Sequence, residues 1–163
     1  MQTRRITKAD FDRIVEVIDR WWGGPISPFA HPIFFHELGQ HALVAELAGA
    51  GGVRYDEIVG FLLGFVADPA GELNGPTGYV HLIGVHPEHR RRGFGRQLYE
   101  RFETGCREAG CIRLKAITTP GNASSIRFHM ALGWQAEEVD DYAGRGRRRV
   151  VLTRVLPAIV KAG

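Results

Sequence analysis

Apolar residues recur three and four positions apart in the stretch that follows a short strand-like segment, residues 2–6. Because that spacing places side chains on one face of a helix, it predicts an amphipathic helix early in the chain. Thr7 is placed to cap its start, with Asp10 completing a capping box, and Gly23 is placed to end it. The buried face is expected to consist of Ile14, Val17, Ile18 and Trp21.

Short apolar runs between polar, glycine-rich or proline-rich connections predict most of the other elements. The predicted strands cover residues 42–47, 58–66, 78–86, 111–117, 134–139 and 149–155. Helical periodicity covers residues 93–109 and 122–132, and a short helix is expected at about residues 32–38. The order β-α-α-β-β-β-α-β-α-β-β predicts an α/β fold (α+β, with a mixed sheet). The strand-helix-strand unit over residues 78–117 predicts a parallel crossover, and ligands bind beyond the carboxyl ends of such strands.

The length and composition are those of one globular domain, residues 1–163. With 44% hydrophobic and 24% charged residues, the chain is expected to build an apolar core without a disulfide or a metal. It contains no run of about 18 apolar residues, so no membrane association is expected. The N-terminal residues lack the apolar stretch of a secretory signal, and the expected location is cytoplasmic.

The cysteines and the basic clusters change this picture little. Cys106 and Cys111 have neither zinc-site nor redox-motif spacing, so they are expected to be reduced thiols, and no metal site is predicted. The formal net charge is +3, with arginines concentrated at residues 90–92 and 145–149. The second cluster is predicted to be a solvated turn, because no nucleic-acid-binding module or interleaved aromatic residues accompany it. No nucleic-acid partner is therefore expected.

The most informative motif joins the predicted strand 78–86 to the helix that follows it. A helix start offers unpaired backbone N–H groups and a partial positive charge, and glycines let a bulky anion approach them. Arginines add charge and donors, so the motif is typical of a pyrophosphate site, although the string alone also fits an ordinary glycine-rich turn. It lacks the Gly-Lys-Ser/Thr of a Walker A loop and the third glycine of a Rossmann fingerprint. The motif consists of Arg90, Arg91, Arg92, Gly93, Phe94, Gly95 and Arg96.

Two segments resemble sequence signatures of the GCN5-related N-acetyltransferases, the GNAT superfamily. The first is YVHLIGVHPEHRRRGFGRQLYERF, residues 79–102, in which a strand leads through a His-Pro-Glu turn into R-x-x-G-x-G. The second is NASSIRFHMALGW, residues 122–134, which is similar to N-x-x-A/S-I-x-F-Y-x-x-L-G-F. The element order over residues 2–155 also fits. The resemblance implies a mixed sheet that splays between two parallel strands, here residues 79–86 and 112–117.

In this superfamily the gap between those strands holds the pantetheine arm of acetyl-CoA, which the resemblance makes the expected co-substrate. The strand backbone would pair with the arm, and N–H groups of residues 91–96 would hold the pyrophosphate. Asn122 would reach the cofactor amide, cap a helix, or both, while Phe128 would pack on the cofactor or in the core. The implied cofactor-binding residues are Ile83, Gly84, Val85, Arg90, Arg91, Arg92, Gly93, Phe94, Gly95, Arg96, Asn122, Ser125 and Phe128.

Two histidines are the candidates for moving protons. His81 lies in the strand beside the expected thioester, where it would be either the base for the amine or a satisfied structural histidine. Because they alternate along the strand, Tyr79, His81 and Ile83 are expected on one face. His129 stands where the superfamily has the tyrosine acid, so it would protonate the leaving thiolate or only fill that space. The resemblance places the oxyanion donor at the backbone N–H of Leu82 or Ile83.

The sequence therefore predicts an N-acetyltransferase that moves the acetyl group of acetyl-CoA to a primary amine of an unidentified small molecule or peptide. The main alternative is a non-catalytic acyl-CoA-binding or regulatory domain, which the histidine in the tyrosine position favours. The resemblance implies that the region from Trp21 to Phe35 lines the acceptor groove. Its aromatic residues would bind a cationic or aromatic amine or pack in the core, and core packing is expected for Trp21. A monomer or homodimer is expected.

Overall fold

The computed structural model describes residues 2–47, 58–68 and 75–157. These residues form a seven-stranded mixed sheet with helices on both faces, which confirms the predicted fold class. The helices are α1 (Lys8–Trp22), α2 (Ile33–His36), α3 (Phe94–Glu108) and α4 (Ala123–Ala131). The strands are β1 (Gln2–Arg5), β2 (Leu43–Glu46), β3 (Ile58–Ala67), β4 (Thr77–Val85), β5 (Arg113–Thr118), β6 (Gln135–Val139) and β7 (Arg149–Val155). Three 3₁₀ turns lie at Ser27–Phe29, Gly39–His41 and Pro87–His89.

Local sequence signals set the ends of the long helices. The capping box at the start of α1 is confirmed: the Thr7 hydroxyl accepts a hydrogen bond from the Asp10 N–H, and the Asp10 carboxylate accepts one from the Thr7 N–H. The helix ends at Gly23, whose φ of 72° lies in the left-handed region that favours glycine. α1 and α3 have 15 residues each, and no helix in the described ranges has the length and apolarity to cross a bilayer.

The order of strands in the sheet is β1-β2-β3-β4-β5-β7-β6. β4 and β5 run parallel, as the crossover through α3 predicts, and the other described pairs are antiparallel. The β4–β5 ladder ends at Val80 and Ala116, although β4 continues to Val85 and β5 to Thr118. The two strands therefore separate toward their carboxyl ends, which confirms the predicted splay.

A β-bulge in β4 marks the point where the strands begin to separate. Leu63 of β3 pairs with Leu82, but the next residue, Gly64, pairs with Val80. His81 is consequently an extra residue with no partner in register on β3. Such a bulge bends its strand, and every later side chain lies on the face opposite to the one that strict alternation predicts.

The bulge overturns one expectation about this strand. Tyr79 and His81 do share a face, with ring centres 6.5 Å apart, and His81 stacks on Phe34 next to α2. Ile83 lies on the opposite face, where it packs against the core formed with α3, while Leu82 packs on the α1 side. The prediction that Ile83 shares the face of His81 is therefore wrong, because strict alternation fails across a bulge.

Two apolar cores hold the helices to the sheet. The core on the α1 face includes Ile14, Ile18, Val44, Phe61 and Leu63, all fully buried. The core on the α3 face includes Val59, Leu62, Leu98, Phe102 and Leu114, also fully buried. Cys106 and Cys111 belong to this second core as free thiols, as predicted, and burial raises the pKa of both.

Candidate active site

The predicted cofactor segments come together where β4 and β5 separate. α3 follows β4 and α4 follows β5, so both helices begin beyond the carboxyl ends of the two parallel strands. The first turn of α3 packs against the second half of α4, where a Cβ on Gly95 would lie 2.9 Å from Cζ of Phe128. Gly95 is therefore required by close packing between the helices, and Phe128 contacts the α3 core, one of its two expected places.

The three β4 residues expected to pair with pantetheine lie in the separated part of the strand. Ile83 and Val85 point into the α3-side core, and Gly84 faces α1 with Trp22 against it. Beyond Val80, the β5-facing edge of β4 has no strand partner within the described ranges. A backbone edge of this kind can hydrogen-bond an extended ligand as an added strand does.

The turn between β4 and α3 is the predicted pyrophosphate site, and it contains two residues with left-handed backbone. Arg91 and Gly93 both have left-handed φ values, 61° and 86°, and Gly93 is the N-cap of α3. Phe94 is buried in the first turn and anchors the helix start, whereas Arg96 is exposed on it. The first N–H groups of α3 have no carbonyl partner within the helix, so they are directed at the space beyond its start.

The side chains of Arg90 and Arg92 already form hydrogen bonds within the protein. Arg90 donates from Nη2 to the carbonyl of Trp21 at 2.7 Å and from Nε to the carbonyl of Val85 at 3.3 Å. Arg90 thus ties the turn to the end of α1. Arg92 lies with Nη1 2.8 Å from Nδ1 of His89. Cofactor contacts by Arg90, Arg91 and Arg92, and by the backbone of the turn, stay predictions.

Asn122 caps α4, as one of its expected roles requires. Its Oδ1 accepts a hydrogen bond from the Ser125 N–H at 3.3 Å, and its Nδ2 donates to the Thr118 hydroxyl at 3.0 Å. The cap fixes the start of α4 to the end of β5, on the far side of the gap from β4. A cofactor contact by Asn122 or Ser125 stays a prediction.

His129 is a core residue with both ring nitrogens engaged; it is 3% exposed. Its Nδ1 lies 2.8 Å from the Ser125 carbonyl, and because a carbonyl only accepts, Nδ1 carries the hydrogen. Nε2 must then accept the hydrogen bond from the Tyr99 hydroxyl, 2.6 Å away. Burial lowers the pKa of His129 and raises that of Tyr99. In this neutral state the single ring N–H of His129 is already donated to the Ser125 carbonyl.

His81 is held differently, at the bulge and half-buried. Its Nε2 lies 2.9 Å from the Phe29 carbonyl, so Nε2 carries the hydrogen and Nδ1 has the free lone pair. The ring stacks on Phe34 with centres 4.1 Å apart and planes 13° apart. Burial lowers the pKa of His81, and the Phe29 carbonyl offsets part of that effect. His81 is therefore neutral at neutral pH and oriented by a fixed acceptor.

Sequence reasoning missed the residue that fixes this acceptor. The Asp19 carboxylate accepts hydrogen bonds from the N–H groups of Ile26 and Ser27, at 2.7 and 2.6 Å, and from the Ser27 hydroxyl at 2.9 Å. These bonds hold the 3₁₀ turn that carries Phe29 and lower the pKa of Asp19. No local sequence pattern predicts these hydrogen bonds, because Ile26 and Ser27 lie seven and eight residues after Asp19, beyond the end of α1.

Comparison with known proteins agrees with this geometry. Residues 11–134 match the Acetyltransferase (GNAT) family. Acetyltransferase YE1169 of Yersinia enterocolitica is 26% identical over 156 residues, which cover 93% of this chain and 97% of that protein.

Solved structures share the fold at lower identity. The NatC complex bound to Gag peptide and CoA contains a chain with a TM-score of 0.76 and 16% identity, covering 96% of this chain and 98% of that one. NAA60 of Arabidopsis thaliana in complex with acetyl-CoA has a TM-score of 0.74 and 14% identity, covering 95% and 99%. The family match spans most of the sequence, so this chain belongs to the Acetyltransferase (GNAT) family, an acyltransferase family with acetyl-CoA as co-substrate.

Proposed function

We propose that the protein transfers the acetyl group of acetyl-CoA to a primary amine of a small molecule or peptide, with His81 as the base. One observation carries the proposal. His81 sits on the bulge where β4 leaves β5, with Nδ1 unprotonated and Nε2 held by the Phe29 carbonyl. A half-buried imidazole in that state can accept a proton at neutral pH.

The proposed reaction forms a C–N bond and breaks the C–S bond of the thioester. His81 removes a proton from the ammonium form of the acceptor, and the neutral amine nitrogen then attacks the carbonyl carbon. The thiolate of CoA leaves with the electron pair of the C–S bond and takes up the proton that the nitrogen loses. The backbone N–H of Leu82 or Ile83 is the proposed donor to the oxyanion. The β4 edge at Ile83 to Val85 would hold the pantetheine, and the turn at residues 91–96 the pyrophosphate.

His129 as the proton donor to the thiolate stays a prediction. Its hydrogen bonds to Tyr99 and Ser125 favour another role, in which it holds α4 against α3 and so maintains the packing around the cofactor gap. In that case the thiolate takes its proton from water or from a group of the bound substrates, which the low pKa of a thiol permits.

A non-catalytic acyl-CoA-binding domain is the second candidate. The observation that favours it is the burial of His129 in the position where the superfamily has its tyrosine acid. Such a domain would bind acetyl-CoA through the same turn and the same β4 edge, and it would release no thiol when amines are added.

Release of free CoA thiol from acetyl-CoA, measured over a panel of amines and short peptides, tests the two candidates. Mass spectrometry of each mixture identifies an acetylated acceptor. We expect acceptor-dependent thiol release by wild type, a large loss in His81→Ala, and no loss in His36→Ala, because His36 is exposed at the end of α2. Tight acetyl-CoA binding without turnover of any acceptor would support the binding domain instead.

A further inference from the structure

The guanidinium of Arg90 joins two elements that border the candidate site. Its Nη2 donates to the Trp21 carbonyl at 2.7 Å, and its Nε donates to the Val85 carbonyl at 3.3 Å. Trp21 lies in the last turn of α1, and Val85 is the last residue of β4. Because both acceptors are backbone groups, one side chain fixes the end of α1 relative to the end of β4.

The Trp21 carbonyl needs a donor from outside α1. In a continuing helix it would accept a hydrogen bond from the residue four positions later, but that residue is Pro25, which has no backbone N–H. The negative end of the helix dipole also favours a cation at this place. Arg90 supplies both the donor and the charge, although its own side chain is exposed.

The end of α1 packs directly on the part of β4 that has separated from β5. A Cβ on Gly84 would lie 2.5 Å from Cζ3 of Trp22, so only a glycine leaves room for that ring. The Trp21 ring contacts the ring of His86 edge-on, with centres 5.3 Å apart. Arg90 therefore holds α1 against the segment of β4 that is expected to pair with pantetheine.

The same end of α1 also holds the proposed base. Asp19 accepts hydrogen bonds there from the N–H and the hydroxyl of Ser27. Ser27 begins the 3₁₀ turn whose last residue, Phe29, holds Nε2 of His81 through its carbonyl. Asp19 thus links α1 to His81, and Arg90 links α1 to the turn that follows β4.

We propose that Arg90 is a positioning residue, whose side chain sets the place of His81 relative to the acetyl group by fixing α1 to the start of the predicted pyrophosphate turn. This role is the alternative to the cofactor contact predicted for Arg90. The inference rests on the proposed function, because it takes His81 as the base. A displacement of about 1 Å is enough to slow a reaction whose groups must meet at about 3–3.5 Å.

The first test separates the rate of the reaction from the affinity for the cofactor. With acetyl-CoA saturating and an acceptor found in the amine panel, Arg90→Ala should lower kcat about 10- to 100-fold. Calorimetric titration with CoA should give the wild-type Kd. Arg20→Ala is the matched control, because Arg20 is an exposed arginine in the last turn of α1, and it should change neither value. An unchanged kcat in Arg90→Ala, or a loss of CoA affinity as large as the loss of kcat, would overturn the inference.

Two further variants test whether Arg90 acts through the base. Arg90→Lys keeps the positive charge but lacks the fixed fork of donors that reaches both carbonyls, so it should recover only part of the lost kcat. Arg90→Ala/His81→Ala should be no slower than His81→Ala, because only a base that is present can be displaced. A slower double variant would overturn the inference. A wild-type rate in His81→Ala would instead reject His81 as the base, and with it the proposed function as stated.

Amide hydrogen exchange tests the link without any acceptor. Removing the bond to the Trp21 carbonyl should loosen the end of α1 and the turn beyond it, so residues 20–29 should exchange faster in Arg90→Ala than in wild type or Arg20→Ala. Equal exchange of residues 20–29 in all three proteins would overturn the inference, whatever the acceptor is.

Discussion

The hydroxyl oxygen of Tyr99 lies 2.6 Å from Nε2 of His129, inside the core between α3 and α4. Trp134 packs edge-on against both rings, with centres 5.2 Å from Tyr99 and 5.0 Å from His129. Both hydrogen-bonding groups are buried, so each needs the other as a partner. The pair therefore links α3, which begins at the turn after β4, to α4, which begins on the other side of the gap.

Tyr99→Phe should lower the stability of the protein. It removes the hydroxyl and leaves Nε2 of His129 buried without a donor, which costs about 1–3 kcal/mol of unfolding free energy. Urea unfolding followed by fluorescence measures the change. Tyr142→Phe is the matched control, because its ring is 39% exposed, and it should have little effect. Equal midpoints for the wild type and Tyr99→Phe would mean that the hydrogen bond contributes no net stability.

Gly93→Val should weaken acetyl-CoA binding strongly. A side chain at Gly93 would stand over the N–H groups at the start of α3 and would disfavour the φ of 86° that directs them. Gly110→Val is the control, because Gly110 follows the other end of α3 with a φ of 79° and similar open space around it. Calorimetric titration with CoA should show at least about a tenfold loss of affinity for Gly93→Val alone. Similar losses of CoA affinity in both variants would mean that backbone strain in α3, and not a blocked phosphate site, weakens binding.

Gly95 is not suited to the same experiment, although the motif suggests it. A Cβ there would meet the Phe128 ring at 2.9 Å, so Gly95→Val would separate α3 from α4 before it blocked any phosphate. A loss of CoA binding in Gly95→Val would therefore not distinguish a blocked phosphate site from disturbed packing of α3 on α4. The sequence shows that a glycine is present, but only the fold shows which neighbour requires it.

The elements and the place of the candidate site were predictable because their signals are local. A capping box, helical periods and a glycine-rich turn each lie within a few residues, and the parallel pairing of β4 with β5 follows from one strand-helix-strand crossover. The bulge at His81 was not predictable, since it depends on the register of β4 against Gly64 of β3. The partner of His81 lies 52 residues away and that of His129 lies 30 away, so no periodicity reports them.

Asp19→Ala should lower turnover while acetyl-CoA affinity stays unchanged. Without the carboxylate, the turn of Ser27 loses three hydrogen bonds, and the Phe29 carbonyl no longer fixes the ring of His81. Misplacement of a base costs on the order of 10- to 100-fold in rate. Asp12→Ala is the control, because Asp12 is an exposed α1 residue that pairs only with Lys8 among the described residues.

A double variant decides whether Asp19 acts through the base. If Asp19 only positions His81, the rate of Asp19→Ala/His81→Ala should equal that of His81→Ala, since a base that is absent cannot be misplaced. If the increases in activation free energy of the two single variants instead add in the double variant, Asp19 affects the reaction by another route, such as the stability of residues 25–32.

His81→Ala should change the shape of the pH–rate profile as well as its height. Folding lowers the pKa of His81, so the neutral form that accepts a proton persists below the ordinary histidine pKa of about 6.5. His81 can therefore act as the base at every pH above its lowered pKa, and wild-type kcat/KM should fall only below that pKa. The variant should lose on the order of 10²–10⁴-fold near neutral pH. The loss should shrink as the pH approaches about 10, because the acceptor is then already neutral. Acetyl-CoA affinity, measured in parallel, should not change. Profiles of the same shape and similar height would show that His81 is structural and that the base lies elsewhere.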